Sequence, residues 1–454
     1  MRPRVFEPRL LLAATMLFAA GCLKRQARVH SLEADIVATS LAHPERAAGW
    51  EETIRDLAHR YEQQERTGHL DAEKGRRAKQ ALDQGCQDPF VRYLWLDYQA
   101  MPCGTKPTLL FAEAKAVAEE LYANGYPQYL RAGAADFALR MSDYTPTEAD
   151  EAARKPLHDI QWKSSFGGIN NPAVPEWEAR ALADDLGVRW MYSNPSGRER
   201  TDAEIDAAIV KRFGEGATLH YLRGARAVRR AWRISDPGHT KTAEWHEYTR
   251  ELSLARGELE QAWQAEPRHF WTACYMIGVC QGLNLPRKQM EQWFQRALAT
   301  GFDGSYATDA KLDYLGDREL GSIEDRVAFG REALVHPEYG WDARLKLWLA
   351  HWRQQTWGQL HPDYLAQPAV WQDIKESIST YLAIYPEAQA IRLHYAYHAW
   401  LARDWPVFRE QFAQIDPARL DLKLIGGPNA VDAMREDFQR TDPLPSAPRR
   451  PGDL

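Results

Sequence analysis

The stretch ACYMIGVCQGLNLPRKQMEQWFQRALATG, residues 273–301, carries the decision about fold class. Its first half is apolar nearly all round, as a helix enclosed by other helices must be. Gly278 would let a neighbouring helix approach closely. Pro286 stands at an expected helix start, because the first turn leaves its N–H unbonded in any case. Beyond it Met290, Trp293, Phe294, Ala297 and Leu298 fall at i, i+3, i+4, i+7 and i+8, one complete buried stripe, and Gly301 stops the pattern. The expectation is two helices folded into a hairpin.

The same grammar extends in both directions. In AAGWEETIRDLAHRYEQQ, Trp50, Ile54, Leu57 and Tyr61 make one helical stripe. TLLFAEAKAVAEELYANG stops at Asn124-Gly125 and PQYLRAGAADFALRM follows at once, which predicts an antiparallel helical hairpin. TDAEIDAAIVKRFGEG opens with Thr201 and Glu204 at capping-box spacing. WDARLKLWLAHWRQQ and EAQAIRLHYAYHAWLARDWPVFREQFAQI read as further hairpins. No segment alternates with period two between Asn-Gly or Asp-Gly turns. The fold class expected is all-α, built of stacked helical hairpins. The Gly-, Asn- and Pro-rich SSFGGINNPAVPEW (164–177) reads as a long loop dividing two helical units.

Residues 278, 294 and 297 supply a more specific likeness. A small residue, an aromatic sixteen positions on and an alanine three later resemble the tetratricopeptide repeat, with Met290 and Phe302 departing from its usual Ala/Gly and Pro. The block MEQWFQRAL…LDYLGDRELGSIEDRVAFGREAL (290–334) also resembles an uncharacterised bacterial helical domain family, which implies no activity. The tetratricopeptide resemblance implies an α-solenoid with an elongated concave face for a protein or peptide partner.

The N-terminus addresses the chain. Arg2, Arg4 and Arg9 precede an apolar run from Leu10 to Ala20, too short for the roughly 20 residues of a membrane span. Ala19-Ala20-Gly21-Cys22 resembles the bacterial lipobox, with Ala19 where Leu is usual. That resemblance implies a signal peptide cleaved before Cys22, acylation (palmitate among the chains) of Cys22 and anchoring in a membrane. Leu23 after the cysteine favours the outer membrane, facing the periplasm. The organisation expected is signal 1–21, tether 22–30, N-terminal helical unit 31–160, linker 161–177, tetratricopeptide-like domain 178–440 and a Pro-rich tail 441–454.

Composition narrows function. The 454 residues are 44% hydrophobic, enough for a sizeable core, and 57 basic against 63 acidic side chains leave a net charge of −6. No Lys/Arg block is long enough for nucleic acid; RGARAVRRAW (223–232) reads as a solvated helix face. Cys86 and Cys103 lie among turn residues of an exported chain and form a candidate disulfide, whereas Cys274 and Cys280 read as inert thiols in a buried helix.

His394 and His398 share one helix face at metal-ligand spacing, but Tyr395 stands where HExxH needs Glu and no third ligand is near. Glu376-Ser377 matches the catalytic pair of lytic transglycosylases without the segment that follows it there. No nucleophile elbow, P-loop or dinucleotide fingerprint occurs. The sequence therefore names no catalytic residue, metal or cofactor. Among 17 Trp and 19 Tyr, Trp341, Trp348, Trp352 and Trp400, with His394 and His398, are the candidate lining of a partner-binding groove. The leading expectation is a lipid-anchored binding or scaffold protein of the cell envelope. The competing ones are a periplasmic immunity-type protein against a toxin and a cell-wall or metal-dependent hydrolase.

Overall fold

The computed structural model describes residues 31–142, 148–186, 198–234, 242–316, 319–356, 364–425 and 427–440. Every regular element among them is helical. The first helices are α1 (Leu32–Leu41), α2 (Glu51–Thr67), α3 (Ala72–Asp83), α4 (Pro89–Ala100), α5 (Pro107–Ala123), α6 (Gln128–Met141) and α7 (Glu148–Asn170). Then come α8 (Glu176–Asp185), α9 (Arg198–Phe213), α10 (Ala217–Ile234), α11 (Thr242–Ala265), α12 (Phe270–Gly282) and α13 (Arg287–Leu298). The last are α14 (Ser305–Gly316), α15 (Ile323–Val335), α16 (Lys346–Thr356), α17 (Pro368–Leu382), α18 (Gln389–Ala402), α19 (Trp405–Phe412) and α20 (Pro428–Gln439).

Local chemistry sets these boundaries. Asp71, Asp88 and Ser322 cap α3, α4 and α15 by accepting backbone N–H bonds. Proline opens α4, α5, α17 and α20. Most helices pack on their sequence neighbours, α9 packs on α7 and α10, and α10 also touches α12, α12 touches α14, and α14 touches α16. The result is a repeat-like stack of hairpins with one continuous apolar core from Leu32 to Met434. In α13 the expected stripe is realised: Met290, Phe294 and Ala297 are fully buried and Trp293 nearly so. Phe294 meets the rings of Phe329 and Tyr339 edge-on at 5.7 and 5.3 Å.

Several expectations need correction. The anticipated loop at 164–177 is largely helix: α7 runs to Asn170 with Gly167-Gly168 inside it, and only residues 171–175 connect it to α8. Crowding explains Gly168, where a Cβ would strike Gln128 and Leu182, whereas Gly167 faces open space. The core is continuous across this point, α6 packing on both α7 and α8. Helix α9 begins at Arg198, so Thr201 lies inside it rather than capping it. Gly278 faces open space. The close approaches are made elsewhere, as where a Cβ on Gly330 would lie 2.7 Å from the Leu347 backbone. The basic run of α10 is only partly solvated: Arg226 and Arg229 are buried, and Arg226 reaches Asp206 at 2.7 Å.

The early hairpins also dock on the loops that join later ones. The Asp303 N–H donates to the Thr67 carbonyl at 2.7 Å. Arg76 grips Glu387 through two bonds of 2.8 and 3.1 Å, and Tyr98 donates to the same carboxylate at 3.0 Å. The Cys103 carbonyl accepts from the first N–H groups of α18, at Gln389 (3.0 Å) and Ala390 (3.3 Å). These contacts place the turn sequences of α2–α5 over the starts of α14 and α18.

Candidate functional site

The residues proposed from sequence as a groove do come together, but in the interior. Helices α16 and α18 face each other, and Trp348, Trp400, His394 and His398 are all at most 5% exposed. Trp348 donates its indole N–H to His398 Nε2 at 2.9 Å. Because Nε2 accepts there, a neutral His398 carries its proton on Nδ1. The Trp348 and Trp352 rings sit 4.8 and 5.2 Å from His394, and Trp352 is 5.2 Å from His398. Burial lowers His394 to about 4 and pushes His398 well below the usual imidazole value. Both rings are therefore neutral packing groups at physiological pH.

The remaining members sit apart from this pair. Trp400 points its indole N–H at Asp437 of α20, 2.9 Å away. Trp341 is half-buried against Tyr381 and Tyr385, with its backbone N–H on Asp303. The groove reading of Trp348, Trp400, His394 and His398 is corrected on this ground: a side chain closed off from solvent offers nothing to an incoming partner. No group of three or more His, Cys, Asp or Glu residues able to hold a metal occurs among the described residues.

The candidate disulfide fails for a geometric reason. Cys86 precedes α4 and Cys103 follows it, and a 12-residue helix is about 18 Å long, far beyond the ~7 Å between Cα atoms that a bridge tolerates. Both cysteines are free thiols, and burial pushes Cys103 up to about 12. Cys280 is likewise free, buried and raised to about 12, and burial also raises Cys274. Glu376 is exposed on α17, while Ser377 is buried and spent on the Arg344 carbonyl and the Trp348 N–H. That pair lacks the apolar acid pocket a glycosidase requires. Cys22 lies outside the described residues, as does the tail.

Sequence reasoning missed a charged cluster in the same helices. Lys346, wholly buried at the start of α16, lies 3.0 Å from Asp309 and 2.8 Å from Asp342. Arg353, one further turn pair along, binds Asp309 at 3.1 Å and also Asp313. Burial raises Asp342, with Lys346 opposing it. Burial pulls Lys346 down, but its two carboxylates outweigh that and hold it above the usual lysine value. The signal was present in part as i,i+4 polar pairs, Asp309/Asp313 within α14 and Asp342/Lys346 at the entry to α16. Such a cluster stitches α14 to α16, and each of its carboxylates, Asp309, Asp313 and Asp342, has a cationic partner.

What the surface offers lies elsewhere. Among the described residues, Trp232 and Trp245 are two of the few large apolar side chains that are exposed, at 43% and 45%. They stand at the tip of the α10–α11 hairpin, either side of residues 235–241, which lie outside the described residues. Tyr248 beneath them is buried, edge-on to Trp232 at 5.9 Å and stacked on Trp245 at 5.3 Å. The two indoles are thus braced by a core residue. Compared with known proteins, the chain matches no family model, no curated protein and no solved structure.

Proposed function

We propose that this is a lipid-anchored binding or scaffold protein of the cell envelope, a tetratricopeptide-like solenoid that engages a protein or peptide partner. The observation that carries the reading is the division of the aromatics. Those that could have served chemistry beside His394 and His398 are core, whereas Trp232 and Trp245 stand exposed and braced at a hairpin tip. Exposed Trp on a rigid support is the kind of anchor that dominates binding energy at protein interfaces. The anchor part of the reading rests on the lipobox-like Ala19-Ala20-Gly21-Cys22. No helix among the described residues is long and apolar enough to cross a membrane.

Two measurements test the reading separately. Cys22→Ala should release the protein from the membrane fraction or leave it as an uncleaved precursor; unchanged fractionation removes the anchor. For binding, partners cross-linked to the wild type in envelope extract should be lost from a folded Trp232→Ala/Trp245→Ala variant. Retention of every partner by that variant removes the hairpin tip as the contact. A hydrolase would instead need an acid in an apolar, substrate-accessible pocket, which neither Glu376 nor the buried ion cluster provides.

A further inference from the structure

The contact between the α2–α3 turn and the α13–α14 turn contains the only histidine among the described residues that bridges an early hairpin to a late one by a side-chain pair. Gly68 ends α2 with φ of 73°, and its bare Cα lies against the Phe302 ring, where a Cβ would come within 2.5 Å. Phe302 is 7% exposed and continues inward to Phe270 (4.7 Å) and Trp271 (5.8 Å). The turn is therefore the cover of an aromatic cluster. Beside it the His69 Nδ1 lies 2.9 Å from Asp303 Oδ2, and His69 itself is about half exposed.

The Asp303 carboxylate is held from several directions. It accepts from the N–H groups of Ser305 and Trp341, both at 3.0 Å, and from the Ser305 hydroxyl. Burial raises Asp342 and Tyr385, and the nearby Asp303 charge pushes both in the same direction. On the other side of the contact, Asp71 is occupied by Arg60 at 2.8 Å. Asp303 is thus the acid that faces His69. The second point of docking, Arg76 with Glu387, contains no group that changes charge near neutral pH.

We propose that the turn at residues 67–71 is a pH-sensitive clasp, closed over Phe302 while His69 is protonated against Asp303 and loosened when the imidazole becomes neutral. A neutral ring keeps one N–H for Asp303 but loses the charge, so the contact weakens rather than vanishes. The hydrogen bond to Asp303 outweighs burial and raises His69 above 6.5. Closure is thereby complete below 6.5 and is lost as pH rises through the raised value. The closing equilibrium falls by up to about tenfold for each unit by which the clasp raises the imidazole. This holds whatever the partner of the protein is.

Hydrogen exchange of the full chain at pH 6 and pH 8, corrected for intrinsic exchange rates, tests it. Protection of residues 67–71 and of the Asp303 amide should be several-fold lower at pH 8, with the 384–390 peptide unchanged. His69→Gln should show low, pH-independent protection at the clasp. His69→Lys, charged at both values, should keep the wild-type pH 6 protection at pH 8. A wild type with equal protection at both pH values overturns the proposal, as does a Gln variant that retains the wild-type fall.

Discussion

Phe294 and Lys346 are both wholly buried in neighbouring parts of one stack, yet they hold it by opposite means. Around Phe294 the core is rings meeting edge-on, and its stability comes from area removed from water. Around Lys346 it is two carboxylates and an ammonium that compensate one another's desolvation. The first arrangement tolerates loss of a partner as a cavity; the second leaves an uncompensated buried charge. One difference follows directly: only the second depends on pH.

Lys346→Met should give the largest pH-dependent effect, about 3–5 kcal/mol at pH 7, because Asp309 and Asp342 lose their shared cation. Burial already raises Asp342. Without Lys346 its folded value rises further, so protonation on acidification relieves the repulsion and the penalty shrinks as pH falls. Denaturant melts at pH 7 and pH 5 check this; an equal penalty at both values would mean the cluster is not ionised in the fold. Phe294→Ala should cost a similar ~3–5 kcal/mol, but the same at both pH values. A loss below ~1 kcal/mol would break the comparison, by removing the 290–298 stripe from the core.

The histidine pair sharpens the comparison from the apolar side. His394 is lowered to about 4, so between 6.5 and about 4 the unfolded chain binds the proton and the folded chain does not. Its contribution is therefore complete above 6.5 and falls by ~1.4 kcal/mol per pH unit below it. Comparing the pH dependence of stability for the wild type and His394→Leu isolates that slope, which the variant should lack. The smallest effect belongs to Gly278→Ala. With open space at its Cβ position, the change should be neutral or stabilise by about 0.5–1 kcal/mol. A substantial loss there would restore the close helix approach expected from the repeat pattern.

The legible part of this molecule was the part governed by period. Apolar residues at helical spacing located the stripe of α13 and the α5–α6 hairpin, with its stop at Asn124-Gly125. Periodicity says that a residue is on the inner face; it does not say whether that face meets solvent in a groove or another helix. Trp348, Trp400, His394 and His398 were misplaced for that reason. Glycine was ambiguous in the same way: Gly167-Gly168 read as loop because nothing local reveals that Gln128 and Leu182 crowd the helix at that point. The Lys346–Asp309 and His69–Asp303 contacts join residues distant in sequence, the latter 234 positions apart, and only the fold brings them together.

The central claim is that His394 and His398 are neutral packing groups closed off from solvent. Imidazole resonances of the folded wild type, followed by NMR from pH 8 to 5 with and without one equivalent of zinc, test it most directly. Both rings should keep their neutral shifts throughout and ignore the metal. Titration of either ring near 6.5, or a stoichiometric zinc-induced shift, would contradict the account and return the pair to the candidates for a metal or catalytic site.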